Sequence, residues 1–177
     1  MCKIIIYGSK YGTTRIYAEE LARRINVKAI SFESVKDINS YDTIIYLGAL
    51  YAGGVMGMAK TFKKITDVSD KNIILATVGL ADPTDNENTD NIKNSVKRQL
   101  TENIFGKIKI FYLRGGIDYS NLSFTHKTMM SMLYKKAKNM PEEKKTSEVR
   151  AMIDTYNQRV DFVDFSSLDS IVDEVNA

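Results

Sequence analysis

Five short, largely apolar segments recur along the first two thirds of the chain, without a sustained alternation of apolar and polar residues. Such continuous apolar runs are typical of strands buried on both faces, as in parallel sheets. Gly8 and Gly79 directly follow the first and fourth runs and mark the ends of those strands. The predicted strands cover residues 3–7, 27–32, 42–50, 72–78 and 107–113.

Stretches with apolar residues every three or four positions separate these strands and indicate amphipathic helices. A first helix, capped by Thr13 or Thr14, is predicted to extend through Arg24. The apolar positions of three helices are Ala18, Leu21, Ala22 and Ile25; Met58, Phe62 and Ile65; and Ile92, Val96, Leu100 and Ile104. The alternation predicts an α/β fold with a doubly wound, five-stranded parallel sheet in the order 2-1-3-4-5.

The pattern changes after Gly115 and Gly116. Residues 124–140 predict a helix rich in methionine and lysine, residues 149, 152, 153 and 156 form a second helical stripe, and residues 160–165 resemble a strand. Ser166 or Ser167 is expected to cap a last helix. We interpret residues 1–177 as a single domain and residues 115–158 as a helical insertion into its last βα unit.

Composition narrows the class of protein. A hydrophobic share of 44% with 27% charged residues is typical of a soluble globular domain, and no apolar run approaches the length of a membrane span. The strand pattern begins at once, so we expect no signal peptide, and the single Cys2 favours a reduced, cytoplasmic setting. A net charge of +3 without a dense basic stripe argues against nucleic-acid binding.

The segment between the first strand and the first helix carries the candidate chemistry. It contains Ser9, Gly12, Thr13 and Thr14. Backbone N–H groups at a helix N-terminus and nearby hydroxyls are the donors that a phosphate needs, and glycine lets the backbone curl around the anion. The alternative is simple helix capping. The position of this segment after strand 1 of a doubly wound sheet favours a phosphate site over simple capping.

Other phosphate-binding folds match less well. The motifs G-x-x-x-x-G-K-S/T and G-x-G-x-x-G are absent, which argues against a P-loop NTPase and a dinucleotide site. A phospho-receiver domain would need acidic residues at the ends of strands 1 and 3. Those ends read Tyr7-Gly8 and Gly48-Ala49-Leu50.

The motif Ser9-x-x-Gly12-x-Thr14 resembles the FMN-phosphate signature of flavodoxins, Thr/Ser-x-Thr-Gly-x-Thr. Residues 48–53 and 115–119, the latter followed by a basic helix, resemble two loops of the flavodoxin-domain branch that includes menaquinone-dependent protoporphyrinogen dehydrogenase. The resemblance covers nearly the whole chain. It implies a flavodoxin-like fold that binds FMN non-covalently.

The expected FMN-binding residues lie in the loops after strands 1, 3 and 4. They are Ser9, Lys10, Tyr11, Gly12, Thr13, Thr14, Leu50, Tyr51, Ala52, Gly53, Gly54, Val78, Gly79, Leu80 and Asp82. We expect Tyr51 to stack on the flavin ring. A carboxylate of the acidic loop, such as Asp82 or Asp85, would lower the flavin potential if it lay near the ring; alternatively this loop is merely solvated.

Three functions stay open on the sequence. One is an electron carrier that docks on a redox partner protein, and another is an enzyme acting on a quinone or porphyrinogen. The third is a cofactor-free binding module. The mixed methionine and lysine surface of residues 124–140 suits a protein partner or peripheral contact with an anionic membrane, unless that helix merely packs on the sheet. No metal site is indicated, His126 is expected to be solvated or partly packed, and the oligomeric state is not indicated.

Overall fold

The computed structural model describes residues 2–51 and 53–177. Its central sheet confirms the predicted architecture. The strands are β1 (Lys3–Gly8), β2 (Ala29–Ser31), β3 (Thr43–Tyr51), β4 (Gly54–Val55), β5 (Asn72–Gly79) and β6 (Ile108–Arg114). Five of them pair in parallel in the order β2-β1-β3-β5-β6, which is the expected 2-1-3-4-5 arrangement. The short β4, which was not predicted, pairs antiparallel with the end of β3.

The helices in the described residues are α1 (Thr13–Ile25), α2 (Met58–Phe62), α3 (Asn86–Gln99), α4 (Glu102–Lys107), α5 (Phe124–Lys138), α6 (Ser147–Asp154) and α7 (Asp169–Asn176). Five of them, α1 to α4 and α7, cover the two faces of this sheet. Apolar residues of α1 and α7 pack on one face, and those of α2, α3 and α4 pack on the other. The central strands are therefore apolar throughout because neither face meets water.

Several predicted element boundaries were wrong. The apolar repeat from Ile92 to Ile104 spans two helices, because Leu100 is extended and Thr101 is the N-cap residue of α4. Both helices bury their apolar residues on the same face of the sheet, so apolar residues recur every four positions although the helix is interrupted. Gly12 rather than a threonine occupies the N-cap position of α1. At the other end of the chain, Asp164 caps the turn that precedes α7.

The segment after β6 forms a small substructure of its own. Its ends pair as an antiparallel ribbon of β7 (Gly116–Asp118) and β8 (Arg159–Asp161), so the predicted strand at 160–165 is shorter and begins earlier. Between them lie α5 and α6, where Tyr134 and Tyr156 stack at a centroid distance of 4.0 Å. Apolar residues of this segment form a separate cluster. The segment therefore buries its apolar residues apart from the main core.

One buried hydroxyl joins three parts of the fold near the end of β6. Tyr17 of α1 is fully buried, and its hydroxyl donates to the Arg114 carbonyl at 2.8 Å. The same oxygen accepts from the Asp164 backbone N–H at 2.9 Å. Tyr17 thereby links α1 to the end of β6 and to the turn that precedes α7.

We expect Tyr17→Phe to lower the free energy of unfolding by about 1–3 kcal/mol, because it removes two hydrogen bonds, each worth about 0.5–1.5 kcal/mol. Urea denaturation followed by circular dichroism measures the change. The matched control is Tyr7→Phe at the half-buried Tyr7 of β1. Equal effects of the two substitutions would contradict the role given to the Tyr17 hydroxyl.

Candidate functional site

An open cavity of about 570 Å³ lies at the carboxyl ends of the central strands. The loops after β1, β3 and β5 form one side, and α3, α5 and α6 form the other. This volume is within the range of about 300–1,000 Å³ that is typical of small-molecule sites. In doubly wound sheets, ligands bind at this edge, where the strand order reverses between β1 and β3.

The loop after β1 has the geometry of an anion site. Gly12 adopts a left-handed conformation, with φ of 96°, directly before α1. The Ser9 hydroxyl accepts the Gly12 N–H at 3.1 Å, and the Thr14 side chain, only 2% exposed, lines the cavity. The first N–H groups of a helix have no partner within it, and the first turn of α1 carries no acidic residue. These donors can therefore converge on a phosphate.

The other residues of this loop contact neighbouring elements. The Thr13 hydroxyl donates to the Gly116 carbonyl at 3.3 Å and so attaches the loop to β7. The Lys10 amino nitrogen lies 5.9 Å from the centre of the Tyr51 ring. Tyr11 packs edge-to-face on His126, with centroids 5.6 Å apart, so this histidine is partly packed, as expected. Burial, and then the neighbouring Tyr51, raises the pKa of Tyr11.

The cavity is bordered by Leu50 and Tyr51 at the end of β3 and by Gly53 and Gly54 after them, whereas Ala52 lies outside the described residues. The Tyr51 hydroxyl contacts the Met129 sulfur at 3.7 Å. Gly53 has a φ of 81°, and its carbonyl accepts from the Ser95 hydroxyl of α3 at 2.9 Å. These contacts place the Tyr51 ring on the cavity wall.

The end of β5 contributes Val78 and Gly79 to the cavity, and the loop after it contributes Leu80. A Cβ at Gly79 would come within 2.7 Å of the Leu50 side chain and 3.3 Å of a Glu148 carboxylate oxygen. The wall is therefore closely packed here, and a residue with a side chain would collide with Leu50 at this position.

The acidic residues of this loop are directed away from the cavity. Asp82 lines a neighbouring recess with Arg114, and its Oδ1 accepts two hydrogen bonds from Thr84 at 2.8 Å. Those hydrogen bonds, and to a smaller extent Arg114, lower the pKa of Asp82. Asp85 caps α3 and accepts from the Ser147 hydroxyl, which lowers its pKa. The structure thus does not bring Asp82 to the cavity wall, although the sequence pattern placed it there.

Sequence reasoning missed the wall that α3, α5 and α6 supply. Its polar members are Asn88, Asn91, Ser95, Thr146 and Glu148, and its apolar members are Ile92, Met129, Met130, Leu133, Val149 and Met152. A signal was available for one of them, because Glu148 lies four residues before Met152 of the predicted stripe. Burial raises the pKa of Glu148, although hydrogen bonds from the Ala81 and Leu80 N–H groups oppose this effect.

The chain belongs to the flavodoxin domain family, whose model matches residues 4–144. This match covers most of the 177 residues and confirms the resemblance at the level of the family. It does not assign the chain to the branch that includes menaquinone-dependent protoporphyrinogen dehydrogenase. No curated protein matches the chain.

Several solved structures resemble the fold. A flavodoxin variant from Fusobacterium nucleatum, bound to flavin mononucleotide, has 18% identity and a TM-score of 0.46, covering 70% of this chain and 73% of the other. A flavodoxin variant from Pseudomonas aeruginosa has 16% identity and a TM-score of 0.40, with coverages of 75% and 93%. A flavodoxin from Archaea has 17% identity and a TM-score of 0.40, with coverages of 64% and 83%. At such identities the likeness concerns the fold alone.

Proposed function

We propose that this chain binds FMN non-covalently in the cavity and is a flavin-dependent redox protein. The observation that carries the proposal is the continuity of the cavity. It extends from the hydroxyl-lined loop at the start of α1 to an aromatic and apolar wall. FMN has the same polarity, since an anionic phosphate is followed by a planar ring. When bound, FMN supplies the ability to accept and release one or two electrons.

The proposed roles follow from the position of each group. Ser9, Thr14 and the first N–H groups of α1 hold the phosphate. The Tyr51 ring offers a stacking surface, worth about 0.5–1.5 kcal/mol beyond its buried area. Leu50 and Leu80 exclude water from the ring. In this proposal the protein binds, orients and shields its cofactor and needs no nucleophile of its own.

A second candidate function is an enzyme that acts on a large apolar substrate, in the manner of menaquinone-dependent protoporphyrinogen dehydrogenase. The observation in its favour is the apolar wall of Met129, Met130, Leu133, Val149 and Met152 across the cavity from the phosphate loop. Methionines adapt to the shape of large ligands. In this version a quinone or porphyrinogen would share the cavity with FMN.

The outer surface of α5 bears on where such a protein would work in the cell. Phe124 at the start of α5 is 85% exposed and Met132 further along is 68% exposed, and the last turn carries the exposed Lys135, Lys136 and Lys138. No helix in the described part of the chain is long and apolar enough to cross a membrane. We propose a cytoplasmic protein whose α5 surface meets either a redox partner protein or an anionic membrane surface.

We expect Thr14→Val to weaken FMN binding by roughly ten- to hundredfold, because it removes a hydrogen bond to a charged group worth about 1.5–3 kcal/mol. Quenching of flavin fluorescence measures the affinity. Riboflavin, which lacks the phosphate, should bind both proteins equally.

The control variant is Thr43→Val. Thr43 is as buried as Thr14, at 2% exposed, but it lies at the amino end of β3, whereas the cavity lies at the carboxyl ends of the strands. Its substitution should leave FMN affinity unchanged. If wild-type protein binds FMN no better than the Thr14→Val variant, the phosphate site is disproved.

Replacement of Lys135, Lys136 and Lys138 by Ser should separate the two redox versions. For an enzyme of a membrane-borne substrate, we expect lower turnover and weaker sedimentation with anionic vesicles. For a carrier, we expect slower and less salt-dependent reduction by its partner protein. FMN binding should be retained in either case.

The matched control removes three exposed lysines elsewhere, Lys60, Lys63 and Lys93, and so makes the same change in net charge. If both triple variants differ from wild type only in thermal stability, the α5 surface has no docking role.

A further inference from the structure

Glu148 is placed unusually for an acidic residue. It lies in the first turn of α6, and its half-buried side chain lines the cavity. Its Oε2 accepts the Ala81 N–H at 3.4 Å, beside Gly79 of the loop after β5. Among the described residues that line the cavity, only Lys10 and Glu148 carry a charge.

The neighbouring acidic groups are occupied elsewhere. Asp82, in the same loop as Ala81, is held by Thr84 and faces a different recess. Asp85 at the start of α3 is bonded to the Ser147 hydroxyl and to the N–H of Glu87. Glu148 is therefore the one carboxyl that the described residues present to the cavity.

The neighbouring cations do not neutralise this carboxyl. Lys145 and Arg150 both form ion pairs with Glu142. Arg114 donates to the Leu80 carbonyl at 3.0 Å, and the Lys10 nitrogen lies over the Tyr51 ring at the other side of the cavity. The pKa of Glu148 is raised by burial, with no opposite charge among the causes that act on it.

A flavin ring in this cavity would intensify the effect. It would displace water from the carboxylate, and an unpaired charge in a dry site is strongly disfavoured. The carboxylate would also compete with a ring carbonyl for the N–H groups of Leu80 and Ala81. A neutral carboxyl has an O–H that can be donated to such a carbonyl instead.

We propose that Glu148 is a proton-linked binding residue, which takes up one proton from the solvent when a flavin ring enters the cavity and then donates a hydrogen bond to a ring carbonyl. This inference rests on the proposed flavin binding and concerns the ring, whereas the Thr14 experiment concerns the phosphate.

The test is the pH dependence of riboflavin affinity, measured by fluorescence quenching. Riboflavin is the probe because the phosphate of FMN itself titrates at about pH 6. Above the pKa of Glu148 in the free protein, affinity should fall with rising pH, by at most about tenfold per pH unit for one proton. The Glu148→Gln variant, which cannot ionise, should bind with little dependence on pH.

The matched control is Glu143→Gln, at an exposed glutamate five positions earlier, which should retain the wild-type pH profile. At a pH where the affinity falls with rising pH, calorimetry of wild-type protein in buffers of different ionisation enthalpy counts protons without any variant and should find uptake on riboflavin binding. Affinity that is independent of pH, or that rises with pH, or binding without proton uptake, would overturn the role of Glu148. Failure of both FMN and riboflavin to bind at any pH would instead overturn the proposed function.

Discussion

The left-handed turn at Gly12 determines where the cavity lies. With φ of 96° at this residue, α1 starts at once after the loop that follows β1, so its free N–H groups point to the carboxyl edge of the sheet. A parallel sheet buried on both faces gathers its strand ends at that same edge. The donors of α1, the Tyr51 ring and the Gly79 wall are therefore brought together by the topology, although they are far apart in sequence.

The segment from β7 to α6 completes the site, because it contacts the start of α1, the end of β3 and the loop after β5. The Thr13 hydroxyl bonds to Gly116, the Tyr51 hydroxyl contacts Met129, and the Ala81 N–H bonds to Glu148. Each contact joins one loop of the sheet to a different part of the segment from β7 to α6. The cavity is thus a space between two packed units, the sheet with its helices and a smaller cluster with its own apolar core.

The strand order of the parallel sheet could be predicted from the sequence, whereas the residues of the site could be predicted only in part. Continuous apolar strands and turn glycines are local signals, and they predicted the strand order correctly. The break at Leu100 was missed because both helices keep one apolar face. The direction of Asp82 was missed because hydrogen bonding to Thr84 turns its carboxylate away, which no spacing rule expresses. Glu148 was missed since its contact with Ala81 joins residues 67 positions apart.

The central claim is that the start of α1 holds the phosphate of a flavin. Phosphorus NMR of FMN mixed with the protein tests it most directly, because the resonance follows the protonation and surroundings of that phosphate. We expect a bound resonance that is displaced from the free one and does not titrate at about pH 6, since the N–H donors of α1 stabilise the dianion. A resonance that moves with pH as it does for free FMN would contradict the account.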